Sequence, residues 1–250
     1  MKSFTTAVSI IAAALVLGGC VHYRPSVTHA HVGHCLTTWH DTPDNLGLFI
    51  VAEKELEIAV HEANAALDGN LSASDKLRHI HGVAHALAPA SQPEGAGLGY
   101  GAIHALEGSI EHLEFAATSE DASQNVVASV AILSELGFTV LERLRTVANQ
   151  AASVNDSDTA ALDQTALALR ANLRAVTLGS DMDGSGEIAA NTAEAGMYQL
   201  RVELDAMLAR EVPRYEPLPR KYVLGLVRLP NGKWDFSFAH RPSQRPTYGY

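Results

Sequence analysis

The sequence predicts a mainly α-helical protein, an antiparallel bundle of about six helices followed by a small C-terminal β-hairpin. Three observations predict it. Apolar side chains recur at intervals of three and four over six segments between residues 44 and 212, the period of a helix with one buried face. No Pro falls inside these segments, where it would break the hydrogen-bond ladder. Near the end, Pro230-Asn231-Gly232 separates two runs, 222–229 and 233–239, that alternate apolar and polar residues.

The chain opens as an export signal. Lys2 is followed by an apolar stretch from Phe4 to Leu17, too short for the roughly 20 residues a membrane span needs. Leu17-Gly18-Gly19-Cys20 closes it with small residues. This order resembles the lipobox of bacterial lipoproteins. The resemblance implies cleavage after Gly19, leaving a signal peptide of residues 1–19, and lipidation of Cys20. Several acyl chains at about 0.8 kcal/mol per buried CH₂ anchor a protein stably where one does not. Val21, rather than Asp, follows the cysteine, so the resemblance implies outer-membrane sorting and a body facing the periplasm. No later stretch reads as apolar enough to cross a bilayer.

Residues 20–43 read as a lipidated, His-rich, irregular linker holding His22, His29, His31, His34 and His40. Thr42-Pro43-Asp44-Asn45 starts the first predicted helix, which runs to Asp68 with Leu48, Val51, Leu56, Ala59, Val60, Ala63 and Leu67 on its stripe. Gly69-Asn70 stops it. Ser74 or Asp75 opens the second, which ends before Pro89. A Pro/Gly-rich loop, 89–101, leads to a third from about Tyr100 to Ala117. A fourth spans about Ser123 to Val154, a fifth runs from Ser157-Asp158 to near Gly179, and a sixth from about Thr192 to Arg210. Residues 44–212 thus form the bundle. Residues 213–250 are a Pro-rich linker and the hairpin, with Trp234, Phe236 and Phe238 on one face. A lone hairpin is marginal in water, so that face is expected to pack on the bundle or on an envelope partner.

Composition narrows the function. The chain carries 28 acidic against 18 basic residues, and removing residues 1–19 takes away one Lys. An acidic chain without a basic cluster argues against nucleic acid. Lipidation of Cys20 leaves Cys35 as the mature chain's one thiol, so no internal disulfide forms. There is no Gly-x-Ser-x-Gly elbow, no phosphate-binding Gly-x-x-x-x-Gly-Lys loop and no Cys-x-x-Cys-His haem motif. His61-Glu62 begins a zincin-like motif, but Ala65 stands where its second His belongs, and the paired Glu-x-x-His elements of di-iron bundles are absent. Nothing specifies a nucleophile with its base, so the protein reads as a non-enzyme.

Twelve His in 250 residues point to cations. His81 and His85 lie four apart on the second predicted helix; His104, Glu107 and Glu111 form a stripe on the third; His61 lies on the first. Facing stripes of this kind build metal sites in bundles, and neutral imidazole suits Zn, Cu, Ni and Fe. A second candidate group is His31, His34, Cys35 and His40. Against both stands the reading that these side chains are solvated, or are bonded to carbonyls in the core.

The segment Asp181-Met182-Asp183-Gly184-Ser185-Gly186-Glu187-Ile188 resembles the calcium loop of EF-hands. That resemblance implies ligation by Asp181, Asp183 and Ser185, a turn at Gly186, the backbone carbonyl of Glu187, and Ile188 at the apolar position. Position 12 holds Thr192 rather than Glu, and Glu194 substitutes only if the loop is shaped differently. The competing reading is an ordinary acidic turn beside a helix start.

Together these features predict a membrane-anchored envelope lipoprotein that binds a transition-metal ion in its bundle and calcium at its acidic loop. The alternatives are a scaffold lipoprotein with incidental histidines, docking a partner through its hairpin, and, less favoured, a metalloenzyme with an open coordination position.

Overall fold

The structure, a computed structural model, describes residues 26–155, 158–211, 226–228 and 234–236. The protein is mainly helical. Seven α-helices occur among the described residues: α1 (Val27–Leu36), α2 (Leu48–Ala65), α3 (Ala73–Leu87), α4 (Ala102–Thr118), α5 (Gln124–Ala152), α6 (Thr159–Leu178) and α7 (Met197–Arg210). The signal segment, Cys20 and His22 lie outside the described residues. So do the Pro-rich linker and the hairpin turn expected at 230–232; Leu226–Arg228 and Trp234–Phe236 pair antiparallel on either side of it.

Three helix starts follow local chemistry. Ser72, Ser123 and Asp158 each accept a backbone N–H of the following turn with their side-chain oxygens, satisfying a donor that has no partner inside the helix. The apolar stripes then meet in one core. Leu56 and Ala59 of α2, Ile80 and Val83 of α3, Leu106 of α4, Leu141 and Leu144 of α5, Leu169 of α6 and Leu204 of α7 are all buried in it. α2 packs on α3, α4 and α6, while α5 packs on α3, α4, α6 and α7. By length and composition α5 is apolar enough to cross a membrane, contrary to the sequence expectation. Val126, Val130, Leu133, Val140 and Val147 on its inner face are nevertheless buried against the other helices.

Two expected boundaries move. The helix predicted from residue 42 starts at Leu48, because Asp44 and Asn45 adopt positive φ and end a short 3₁₀ turn. Gly47 then passes so close to the Cys35 carbonyl that any Cβ there would collide with it. The helix predicted from Thr192 starts at Met197, since residues 187–196 are used to close the acidic loop.

The largest departure is α1. The segment expected to be an irregular linker is a ten-residue helix packed on α4 and α2. Its buried residues, Thr28, Val32, Gly33, Cys35 and Leu36, follow helical spacing. Ser26 caps it, accepting the His29 N–H at 3.0 Å. The carboxylate of Asp121, beyond the end of α4, accepts the N–H groups of Val27 and Thr28 at 2.9 and 3.1 Å and the Thr28 hydroxyl at 2.9 Å. A negative charge at a helix N-terminus is favoured by the aligned peptide dipoles. Burial opposes ionisation of Asp121, but the bonds from Thr28, Ser26 and Val27 outweigh it and hold the carboxyl below its ordinary range.

Charged groups enter the core with partners, although the buried Ser109 hydroxyl has none among the described residues. Glu53 pairs with Arg201, whose guanidinium also lies over the Phe49 ring. Lys76 is buried and bonds Asp163 and the Ala66 carbonyl. Glu55, fully buried, accepts N–H groups from Leu98, Tyr100 and Gly101 at 2.9, 3.0 and 2.9 Å. That carboxylate ties the Pro/Gly-rich loop to α2 just where α4 starts.

Candidate metal centre

The docking of α1 on α4 brings three imidazoles together. His31 and His34 lie three apart on α1, beside its buried stripe. His112 lies on α4, three residues after Ser109, whose carbonyl accepts the Cys35 thiol at 3.3 Å. Two adjacent contacts thus set the register of the helix pair: Cys35 on Ser109, and His31 with His34 on His112. The Nδ1 atom of His112 lies 3.1 Å from Nδ1 of His31 and 3.3 Å from Nδ1 of His34.

This convergence suits a cation better than hydrogen bonding alone. A neutral imidazole presents at Nδ1 either one in-plane N–H or one in-plane lone pair. His112 can therefore satisfy one neighbour well through that atom, not two. A metal ion takes a lone pair from each ring. Two nitrogens at 2.0–2.1 Å from a tetrahedral Zn²⁺ are about 3.3–3.4 Å apart, close to the separations seen. The ligand atoms of all three residues lie within 4.8 Å of one another.

The surroundings favour the neutral form of His112 and His31. Burial, and then the neighbouring His31, lower the pKa of His112 to about 4 against a weaker opposing pull from Asp41. Burial also lowers His31, with Asp121 opposing. Neutral imidazole is the form that binds metal, so protons compete poorly here near pH 7. Trp39 covers one side, its ring 4.6 Å from His34 and 4.5 Å from His112. Phe115 lies 5.4 Å from His31 and 5.9 Å from His112.

The expected N-terminal group is therefore half assembled. His31 and His34 converge. Cys35 does not join them: its sulfur points into the core toward Ser109 and the His31 carbonyl, and burial pushes its thiol pKa up, away from the thiolate a metal needs. His40 is exposed, pairs with Asp41 at 3.1 Å and meets the Trp39 ring edge-on. His112 and Trp39 were missed by sequence reasoning. With the α1 segment read as irregular, nothing indicated which residue of α4 would face it.

The expected bundle site does not assemble. The His81 Nε2–H donates to the Val154 carbonyl at 2.9 Å, and the His85 Nδ1–H to Gln92 at 2.7 Å. His104 is exposed and stacks on Tyr100, while Glu107 binds Arg145 at 2.7 Å. His61 and Glu111 are exposed. The reason is rotational: the inward faces of α3 and α4 carry Ile80, Val83, Ala84, Ala105 and Leu106, which turn these polar stripes toward loops and solvent.

The acidic loop between α6 and α7 brings Asp181, Asp183 and Glu194 together, their carboxylate oxygens within 4.8 Å of one another. Asp181 accepts N–H groups from Gly184, Ser185 and Gly186, with Gly184 and Gly186 at φ of 73° and 86° as so tight a coil requires. Glu194 is buried and folds back to accept the N–H groups of Met182 and Asp183 at 3.1 and 3.3 Å and of Ala189 at 2.8 Å. The Ser185 N–H chiefly lowers the pKa of Asp183. Arg143 of α5 holds the far end through the Ala193 and Ala195 carbonyls. Ser185 and Glu187 stay outside the carboxylate group: the Ser185 hydroxyl donates to the Glu187 carbonyl at 3.1 Å, and the Glu187 side chain is exposed.

Comparison of the chain with protein-family models, curated proteins and solved structures finds no match. The functional reading rests on its own residues.

Proposed function

We propose that the protein is an envelope lipoprotein, tethered through Cys20, whose antiparallel helical body binds a divalent transition-metal ion at His31, His34 and His112. The observation that carries this reading is the approach of His31 and His34 Nδ1 to the Nδ1 atom of His112, at 3.1 and 3.3 Å, with ligand atoms of all three rings within 4.8 Å of one another. The donor set is all imidazole, which selects Zn²⁺, Cu²⁺, Ni²⁺ or Fe²⁺ over the hard cations Mg²⁺ and Ca²⁺. Zn²⁺ fits best, because it imposes no geometry of its own and accepts three His ligands.

Calcium is the second proposed ligand. Glu194 reaches back to Asp181 and Asp183 and supplies the carboxylate that position 12 of the loop lacks. The exposed location and the three carboxylates make this a modest structural site rather than a tight one. The C-terminal hairpin, with its aromatic face, is proposed as the part that packs on the body or meets an envelope partner.

The test is elemental analysis of the purified full-length chain in detergent, after equilibration with excess Zn²⁺ and desalting. One retained Zn per chain in the wild type, and in His81→Ala and His104→Ala, with loss in His112→Ala, supports the site. Equal retention in His112→Ala and the wild type removes it and leaves the scaffold reading.

A further inference from the structure

We infer that the metal held by His31, His34 and His112 keeps one coordination position for a ligand from outside the chain, a solvent-derived hydroxide or water that small monodentate anions displace. This rests on the reading of the triad as a metal site and goes beyond it, by assigning what completes the ion's coordination.

Among the described residues, the three imidazoles are the only side chains in their cluster that offer metal-binding atoms. The other donors nearby are committed elsewhere. The Cys35 sulfur, one helical turn from His31, is fully buried against the Ser109 carbonyl. Asp121 is engaged by Val27 and Thr28 at the start of α1. Asp41 pairs with His40, and both side chains are mostly exposed. The flanking rings, Trp39 and Phe115, supply apolar walls and no strong ligand atom.

Zn²⁺ in a closed structural site has four protein ligands, whereas three protein ligands leave a fourth position for an exchangeable one. The three His are only partly buried, so solvent reaches the cluster. The Trp39 and Phe115 rings beside the cluster favour a small occupant. It is favoured as an anion, because none of the three ligating imidazoles carries a negative charge to offset that of the ion.

The experiment substitutes Co²⁺ into the full-length chain in detergent, follows its visible spectrum, and titrates in azide. The expected result is a strong four- or five-coordinate Co²⁺ spectrum that is lost in His112→Ala. In the wild type it shifts with azide, saturably and through an isosbestic point. A His112-dependent Co²⁺ spectrum that azide leaves unchanged overturns this inference alone, since a donor of the chain then fills the fourth position. The absence of any His112-dependent spectrum overturns the metal site and this inference with it.

Discussion

The Nδ1 atom of His112 lies 3.1 Å from that of His31, a residue 81 positions earlier in the chain. Neither helix brings this pair about by itself. The contact exists because α1 docks its Thr28, Val32, Cys35 and Leu36 stripe in the core, which leaves His31 and His34 at the edge facing α4. On the proposed reading, metal affinity is coupled to the position of the helix nearest the proposed lipid anchor.

Stability of the metal-free protein should fall as the pH drops. The folded pKa of His112 lies at about 4, and that of His31 is also lowered, whereas the unfolded chain takes up protons at the ordinary value of 6.5. Above 6.5 both states are neutral at these rings. As the pH falls below 6.5 the unfolded state binds protons that the folded state refuses, and stability declines until about pH 4, where folded His112 protonates too. Denaturant midpoints measured between pH 7.5 and 4 check this. The slope attributable to His112 should be weaker in His112→Gln, and an unchanged slope would contradict the account.

Cys35→Ala should leave Zn²⁺ affinity within a few-fold of the wild type, because the sulfur faces the core. It should cost about 1 kcal/mol of stability, the scale of a small buried group removed from a packed interior. In the native protein iodoacetamide should modify Cys35 slowly, and quickly once denaturant is added, as the thiol is buried and its pKa raised. Rapid native labelling, or loss of metal on Cys35→Ala, would place the thiol at the ion instead.

Glu55→Ala should destabilise the fold by roughly 3 kcal/mol or more. It strips three loop N–H groups of their charged acceptor and leaves a buried carboxylate site empty; the buried Gly101 N–H alone costs about 1–3 kcal/mol without a partner, and hydrogen bonds to a charged group are worth about 1.5–3 kcal/mol each. Glu55→Gln, which keeps one acceptor oxygen, should lose less. Urea denaturation of the two variants gives the comparison, and the reverse order would show that the carboxylate is not what holds the loop.

Calcium should raise the thermal midpoint, and Glu194→Gln should abolish that response while leaving Zn²⁺ retention intact. At a calcium concentration ten times the Kd the stabilisation is about 1.4 kcal/mol. Thermal melts with millimolar Ca²⁺ or with chelator decide it. A wild type whose midpoint calcium does not move would make the loop an acidic turn only.

Much of the fold was legible because long amphipathic helices write their buried face into the sequence. The 29 residues of α5 are the clearest case, with Val126, Val130, Leu133, Val140, Leu144 and Val147 all inward. α1 was hidden because it is short and its stripe mixes Thr, Val, Cys and Leu with His and Gly, and because the carboxylate at its start comes from Asp121, 94 residues beyond Val27. The candidate site was legible to the extent that His31, His34, Asp181, Asp183 and Glu194 were singled out. His112 was not, since it lies off the His104, Glu107 and Glu111 stripe that drew attention on that helix. The expected ligands His81, His85 and His104 failed for a related reason. Spacing shows which residues share a face of one helix, not how that helix is rotated against its neighbours.

X-ray absorption at the zinc edge tests the central claim most directly. For the Zn²⁺-loaded full-length protein, the account predicts nitrogen or oxygen neighbours at about 2.0–2.1 Å, with imidazole scattering fitted by three rings in the wild type and by two in any zinc that His112→Ala retains. A sulfur neighbour at about 2.3 Å, or a shell without imidazole scattering, would contradict it.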